Sequence, residues 1–260
     1  LNSVGKACGE AGHETECKKV SKGKTYYGKG NTNQGILQLL AENNIPLVIR
    51  MVGAVSESGL YKTGTWAAAN AGLIDGLTDY DSNDYGGSVG DNGHMARMKS
   101  AKDVTIEGVG TDAAMDGWGI HFMSETSTTA AGLGKSFEVR NLTFMNQPED
   151  AIGMEGVQEG SVITAPVERC WIHNNEFYSP SITGPAESDK AEGDGSCDFK
   201  RGEYLTVSYN YFEGCHKTNL VGSSDTSLQY NLTYHHNIWK GCKASLLDAR
   251  LICISTITSL

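Results

Sequence analysis

Positive charge is in short supply: 21 Lys and Arg stand against 31 Asp and Glu, a formal net charge of −10 over 260 residues. A uniformly acidic chain is a poor fit for nucleic acid, which is held by clustered cations against phosphate. It also repels a polyanion at long range, so an acidic substrate would call for a bound cation or a local Lys/Arg cluster. Proline is scarce, with five residues. No apolar run approaches the ~18 residues that a membrane-spanning helix needs. None of the seven cysteines (Cys8, Cys17, Cys170, Cys197, Cys215, Cys242 and Cys253) forms a Cys-x-x-Cys pair, so a structural zinc site is not expected. Cys8 and Cys17 could close a small disulfide loop; equally, the cysteines could serve as small buried hydrophobes. No secretory leader pattern is present. The chain opens at Leu1 in a polar stretch, so its natural N-terminus is expected upstream.

Glycine is plentiful at 32 residues, which implies many tight turns, and a hydrophobic content of 39% is ordinary for a globular protein. The expectation is one domain over residues 1–260, large enough for a packed core. Gln34–Asn43 places Ile36, Leu37, Leu39 and Leu40 on one face of a short N-terminal helix. Beyond it come short apolar or alternating runs closed by Gly, Asn or Asp, which read as strands: Leu47–Val52, Val104–Val109, Gly119–Met123, Phe137–Phe144, Ala151–Val157, Cys170–Phe177, Tyr204–Phe212 and Leu232–Trp239. Three of them share a motif. Asn175, Asn210 and Asn237 each stand two residues before a large aromatic, Phe177, Phe212 and Trp239. A loose repeat of short strands with no helix between them suggests stacked parallel coils. In such a solenoid, Asn side chains can ladder by hydrogen bonding and aromatics can stack inside.

Two acidic stretches bear on chemistry. Asp75–Asn92 is rich in Gly, Asp, Ser and Asn, reads as a solvated loop, and lacks EF-hand spacing. Glu187–Lys217 carries Asp194 and Asp198 four apart, then Lys200, a strand, and Lys217. Converging carboxylates suit calcium, a hard cation. Asp150, at the start of an earlier coil, could join them, since coils bring distant positions side by side. The alternative is a set of exposed turn acids.

The run Asp194-Gly-Ser-Cys-Asp198-Phe-Lys200-Arg-Gly, the VSYNYF strand, Lys217 before TNLVGSSD, and LTYHHN together resemble the pectate lyases of polysaccharide lyase family 1. WIHNNEF and DAIGMEG extend the likeness, and VIRMVG and VTIEGVG do so more faintly. The resemblance implies an all-β fold, a right-handed parallel β-helix. It implies calcium held by Asp150, Asp194 and Asp198. It implies that Lys200 and Lys217 contact substrate carboxylates. It implies a secreted, monomeric enzyme acting on polygalacturonate by β-elimination, without nucleic acid or membrane as partner. A further family Asp two residues before Asp150 is replaced here by Pro148, with Glu149 adjacent. The His235–His236 pair is implied to be structural, with one ring packed under the coil; His173 and His216 carry no implied role.

The pattern breaks at the base. The family's arginine lies in an R-x-P-x-x-R segment after the HHN strand. Here residues 242–250 read CKASLLDAR, so the first arginine falls on Ser245 and the second on Arg250. Leu251 to Thr258 can be written in codons as CTA ATT TGC ATT TCT ACA ATA ACT; shifted by two bases, that choice reads Asn-Leu-His-Phe-Tyr-Asn-Asn, close to the H-x-Y-N-N found in relatives. A frameshift near Ala244 is therefore expected, with the remaining C-terminal coils lost. Arg250 then matches by counting alone, and a calcium-dependent binding protein without turnover becomes the rival reading. Sequencing the encoding DNA around Ala244 tests the frameshift: codons compatible with the shifted reading support it, and incompatible codons exclude it.

Overall fold

Short strands closed by Gly and Asn cannot bury their apolar faces alone, and here they do so by stacking on their own successors. The computed structural model describes residues 19–21, 24–26, 46–56, 95–124, 134–145, 147, 150–178, 195–215, 217–242 and 258–259. The Gln34–Asn43 helix and the Asp75–Asn92 loop lie outside these. Among the described residues every element is a strand.

Each coil lays its strands on three faces. The first face is a parallel sheet of β4 (Met95–Lys99), β6 (Gly119–Met123), β9 (Ile152–Glu155) and β14 (Cys197–Lys200). The second holds β3 (Leu47–Ser56), β5 (Lys102–Asp116), β7 (Lys135–Arg140), β12 (Val167–His173), β15 (Gly202–Ser208) and β17 (Gln229–His235). The third holds β8 (Thr143–Met145), β13 (Glu176–Tyr178), β16 (Tyr211–Glu213), β18 (Ile238–Lys240) and β19 (Thr258–Ser259). The 15-residue strand β5 bends from the second face to the third, pairing with β7 and then with β8. All coil-to-coil pairings are parallel, and the architecture is the expected right-handed parallel β-helix. Among the described residues the antiparallel pairs are two small hairpins, β1 (Lys19–Ser21) with β2 (Lys24–Tyr26), and β10 (Val157–Glu159) with β11 (Val162–Ala165).

The strands expected to run straight through the Asn motif are each divided in two. Phe137–Phe144, Cys170–Phe177, Tyr204–Phe212 and Leu232–Trp239 all turn the corner between the second and third faces midway. The corner residue before each buried position is left-handed: Asn141, Asn174, Tyr209 and His236 have φ of 54–55°. A polar side chain at the next position can then reach the coil beside it. Asn210 Nδ2 donates to Ile172 O (2.9 Å) and to Asn237 Oδ1 (3.0 Å), while Asn210 Oδ1 accepts from the Asn175 backbone N–H (3.0 Å). Asn175 and Asn237 repeat the arrangement, and all three are buried. The ladder ends at Leu142, whose N–H donates to Asn175 Oδ1. Just inside it, Phe144, Phe177, Phe212 and Trp239 stack with centroids 4.9, 4.7 and 5.7 Å apart, each pair within 9° of parallel.

On the outer side of the second face, Arg50, Glu107, Arg140, His173, Ser208 and His235 form one in-register row. Arg50 Nε and Arg140 Nη2 both donate to Glu107 (2.8 and 2.7 Å), and Arg140 also reaches Glu138, which meets His173 Nε2 at 3.0 Å. Opposite charges alternate over Arg50, Glu107 and Arg140, so a loss of register there would separate the paired charges.

Two outcomes follow from this packing. Asn210→Ala strands buried partners in both neighbouring coils and should lower unfolding free energy by roughly 2–4 kcal/mol, read from urea denaturation. The hydrogen bonds from Arg50 and Arg140 hold the Glu107 carboxyl below its ordinary range. A carboxylate with a lowered folded pKa adds stability above the unfolded value of about 4.3, and that stability is lost as pH falls through the folded pKa. Glu107→Gln should therefore flatten the acid limb of the stability profile below about pH 4.3, leaving the neutral limb's shape intact.

Candidate active site

Strand alternation on the first face sends Ile120, Phe122, Ile152, Met154, Cys197 and Phe199 inward. It sends His121, Gly153 and Asp198 outward as one in-register row, with Met123, Glu155 and Lys200 as the next. Asp150 lies two residues before β9. It is buried, and its Oδ1 accepts the Gly195 N–H at 2.9 Å. Asp198 is also buried, and its Oδ1 accepts the Leu220 N–H at 3.1 Å. Both carboxylates meet at Gly195: a Cβ there would lie 2.1–2.6 Å from the Asp198 carboxylate. Glycine is thus the residue that lets the two acids close around one backbone position.

The next coil completes the arrangement. Gly195 and Lys217 form a parallel bridge, and Ser196 N–H donates to Lys217 O (3.1 Å) and Thr218 O (3.0 Å). Asp150, Asp198 and Lys217 therefore stand on three successive coils around a single residue. Lys200 is half-buried; its backbone O accepts the Gly156 N–H at 2.9 Å, and its side chain forms no ion pair among the described residues. Asp194 and Arg250 lie outside the described residues, as do Glu149 and His216. Among the described residues, no three His, Cys, Asp or Glu side chains gather closely enough to hold a metal ion. The two described acids fit calcium by chemistry, being hard oxygen donors facing one glycine, and leave further donors to come from elsewhere.

Three neighbours escaped the reading of the sequence. Glu155 pairs closely with the Arg201 guanidinium and sits 3.3 Å from His121 Nε2. Arg201 also donates to Gly156 O (3.0 Å), and burial lowers its pKa. Counting outward positions along Gly119–Met123 and Ala151–Val157 would have flagged His121 and Glu155. Arg201 sits at a corner with φ +56°, for which no sequence pattern was available.

The histidine pair needs correcting. His235 is partly exposed, His236 is exposed at the left-handed corner, and their Nδ1 atoms lie 2.8 Å apart. Tyr209 stacks on His236 at 4.7 Å. Neither ring packs under the coil, because left-handed φ turns the His236 side chain outward and Asn237 takes the buried position.

The family model described as pectate lyase matches residues 88–250. Pectate lyase 2 of Pectobacterium carotovorum is 30% identical over 149 residues, 56% of this chain and 35% of that protein. Pectate trisaccharide-lyase of Bacillus licheniformis is 34% identical over 143 residues, covering 54% and 36%. The aligned part thus spans about a third of the length of these curated relatives. A pectate lyase of Bacillus sp. N165, solved in complex with trigalacturonate, superposes with a TM-score of 0.53 at 24% identity, over 79% of this chain and 54% of that one. One from Xanthomonas campestris gives 0.56 at 20% identity, over 85% and 62%. These structural likenesses establish the fold.

Gly195→Ala should cost about 1–3 kcal/mol in urea denaturation, since the new Cβ must displace the Asp198 carboxylate or the backbone. With the family model covering more than half of the sequence, the chain belongs to the pectate lyase family.

Proposed function

We propose that the parent protein is a secreted, calcium-dependent pectate lyase that cleaves within chains of de-esterified, α-1,4-linked polygalacturonate by β-elimination. The observation that carries this reading is the meeting of Asp150 and Asp198 at Gly195, with Lys217 bridged to the same residue. Asp150, Asp194 and Asp198 would hold the calcium. When bound, calcium supplies positive charge that offsets the acidic chain and stabilises charge developing on the substrate carboxylate.

The reaction removes the proton on C5, α to the carboxylate, and expels the oxygen on C4, leaving a C4–C5 double bond. Charge builds on the carboxylate as the proton leaves. Lys200 and Lys217 would bind and orient that carboxylate, preorganised where the charge grows. Lys200 suits this role because its side chain stands on the outer face, in register with Glu155. Arg201 does not suit the role of base, because its guanidinium is engaged by the Glu155 carboxylate. The base position falls in residues 242–250, where Arg250 is the available arginine.

That segment also supports a second reading. A chain lacking the R-x-P-x-x-R pattern could bind pectate through calcium without turning it over. The two readings separate on polygalacturonate with calcium, by ultraviolet absorbance of the unsaturated product and by sedimentation with the polymer. Absorbance that grows with calcium and stops with a chelator supports the lyase; co-sedimentation without product supports the binder. For the lyase, Asp198→Asn and Asp150→Asn should each cut the rate at least ~100-fold, and Lys200→Ala should raise KM about tenfold.

A further inference from the structure

Four cysteines lie among the described residues, all as free thiols. Cys170 and Cys197 point into the core, and burial pushes both thiols up. Cys215 and Cys242 are differently placed. Glu213 is in register with Lys240, and Gly214 N–H donates to Lys240 O at 2.9 Å. Two residues on, Cys215 and Cys242 occupy the same turn of successive coils. Their surroundings repeat. Cys215 Sγ contacts Phe177 O (3.5 Å) and Glu213 O (3.7 Å); Cys242 Sγ contacts the equivalent Phe212 O (3.6 Å) and Lys240 O (3.8 Å).

The two thiols are therefore stacked on successive coils. Their proximity raises the Cys215 thiol and lowers the Cys242 thiol. Cys215 is buried, whereas Cys242 is half-exposed and open to reagents. Adjacent coils lie about 4.8 Å apart, inside the roughly 4.4–6.8 Å Cα separation that a disulfide spans.

We propose that Cys215 and Cys242 are an oxidisable dithiol that closes to a disulfide, strapping the coil that carries Lys217 to the coil beyond it. A low-molecular-weight disulfide is the oxidant. The Cys242 thiolate attacks one of its sulfurs, forming a mixed disulfide and releasing one small thiolate. Cys215 then attacks the Cys242 sulfur and expels the second small thiolate. The two thiol protons end on the two released thiols; the protein sulfurs are oxidised and the reagent is reduced. Cys215 lies two residues before Lys217, so the strap ties down the segment that bridges Gly195 to Lys217. The inference is independent of turnover.

The test equilibrates the full chain with oxidised and reduced glutathione, quenches with acid, alkylates, and maps peptides without reduction. The expected product is a Cys215–Cys242 cross-linked peptide, with Cys170 and Cys197 alkylated only after denaturation. Cys215→Ser should instead stop at a glutathione adduct on Cys242, with its circular dichroism spectrum reporting the fold. Full alkylation of both cysteines in the folded wild type would overturn the proposal. So would a lasting adduct on Cys242 beside a free Cys215, or a cross-link from Cys242 to any other cysteine.

Discussion

In-register parallel stacking is the constraint on which everything else in this molecule depends. Each coil satisfies its backbone hydrogen bonds through the coils on either side. A residue is therefore placed by which coil and which face it occupies, and its near neighbours in space lie 27–36 positions away in sequence. Buried asparagines enforce the stacking at one corner, because each polar side chain finds its partners only when the next coil is in register. Removing one leaves unsatisfied groups in two coils at once, so the ladder opposes slippage more strongly than apolar packing alone would. The aromatic stack inside and the Arg50–Glu107–Arg140 pairs outside favour the same register.

The candidate site is a consequence of that geometry. Asp150 and Gly195 are 45 residues apart, yet one hydrogen bond joins them because β9 and β14 are adjacent coils. Asp198 and Lys217 reach the same point from the next two passes of the chain. Burying two acids so close together is costly unless each is hydrogen-bonded, and both accept a backbone N–H. A bound cation would relieve the remaining repulsion between them.

The repeat was legible in the sequence because Asn and a large aromatic two residues apart have consequences on every coil they visit. The ladder and the stack follow from that spacing. The division of each strand at the Asn corner was not legible. It depends on a left-handed residue just before the buried Asn, and Tyr209 and His236 are not types whose presence signals that conformation. The same blindness produced the error over the histidine pair. Asp150, Asp198, Lys200 and Lys217 could be named through the resemblance to a family. The convergence of Asp150, Asp198 and Lys217 on Gly195 could not, since nothing in the spacing of Gly195 says that an absent side chain is what admits the carboxylate of Asp198.

Calcium binding to the full chain, followed by isothermal titration calorimetry in the presence of trigalacturonate, is the most direct measurement of the central claim. The account predicts saturable binding that weakens strongly in Asp198→Asn while the folded β-sheet spectrum is retained. Equal calcium affinity in the wild type and in Asp198→Asn would contradict it.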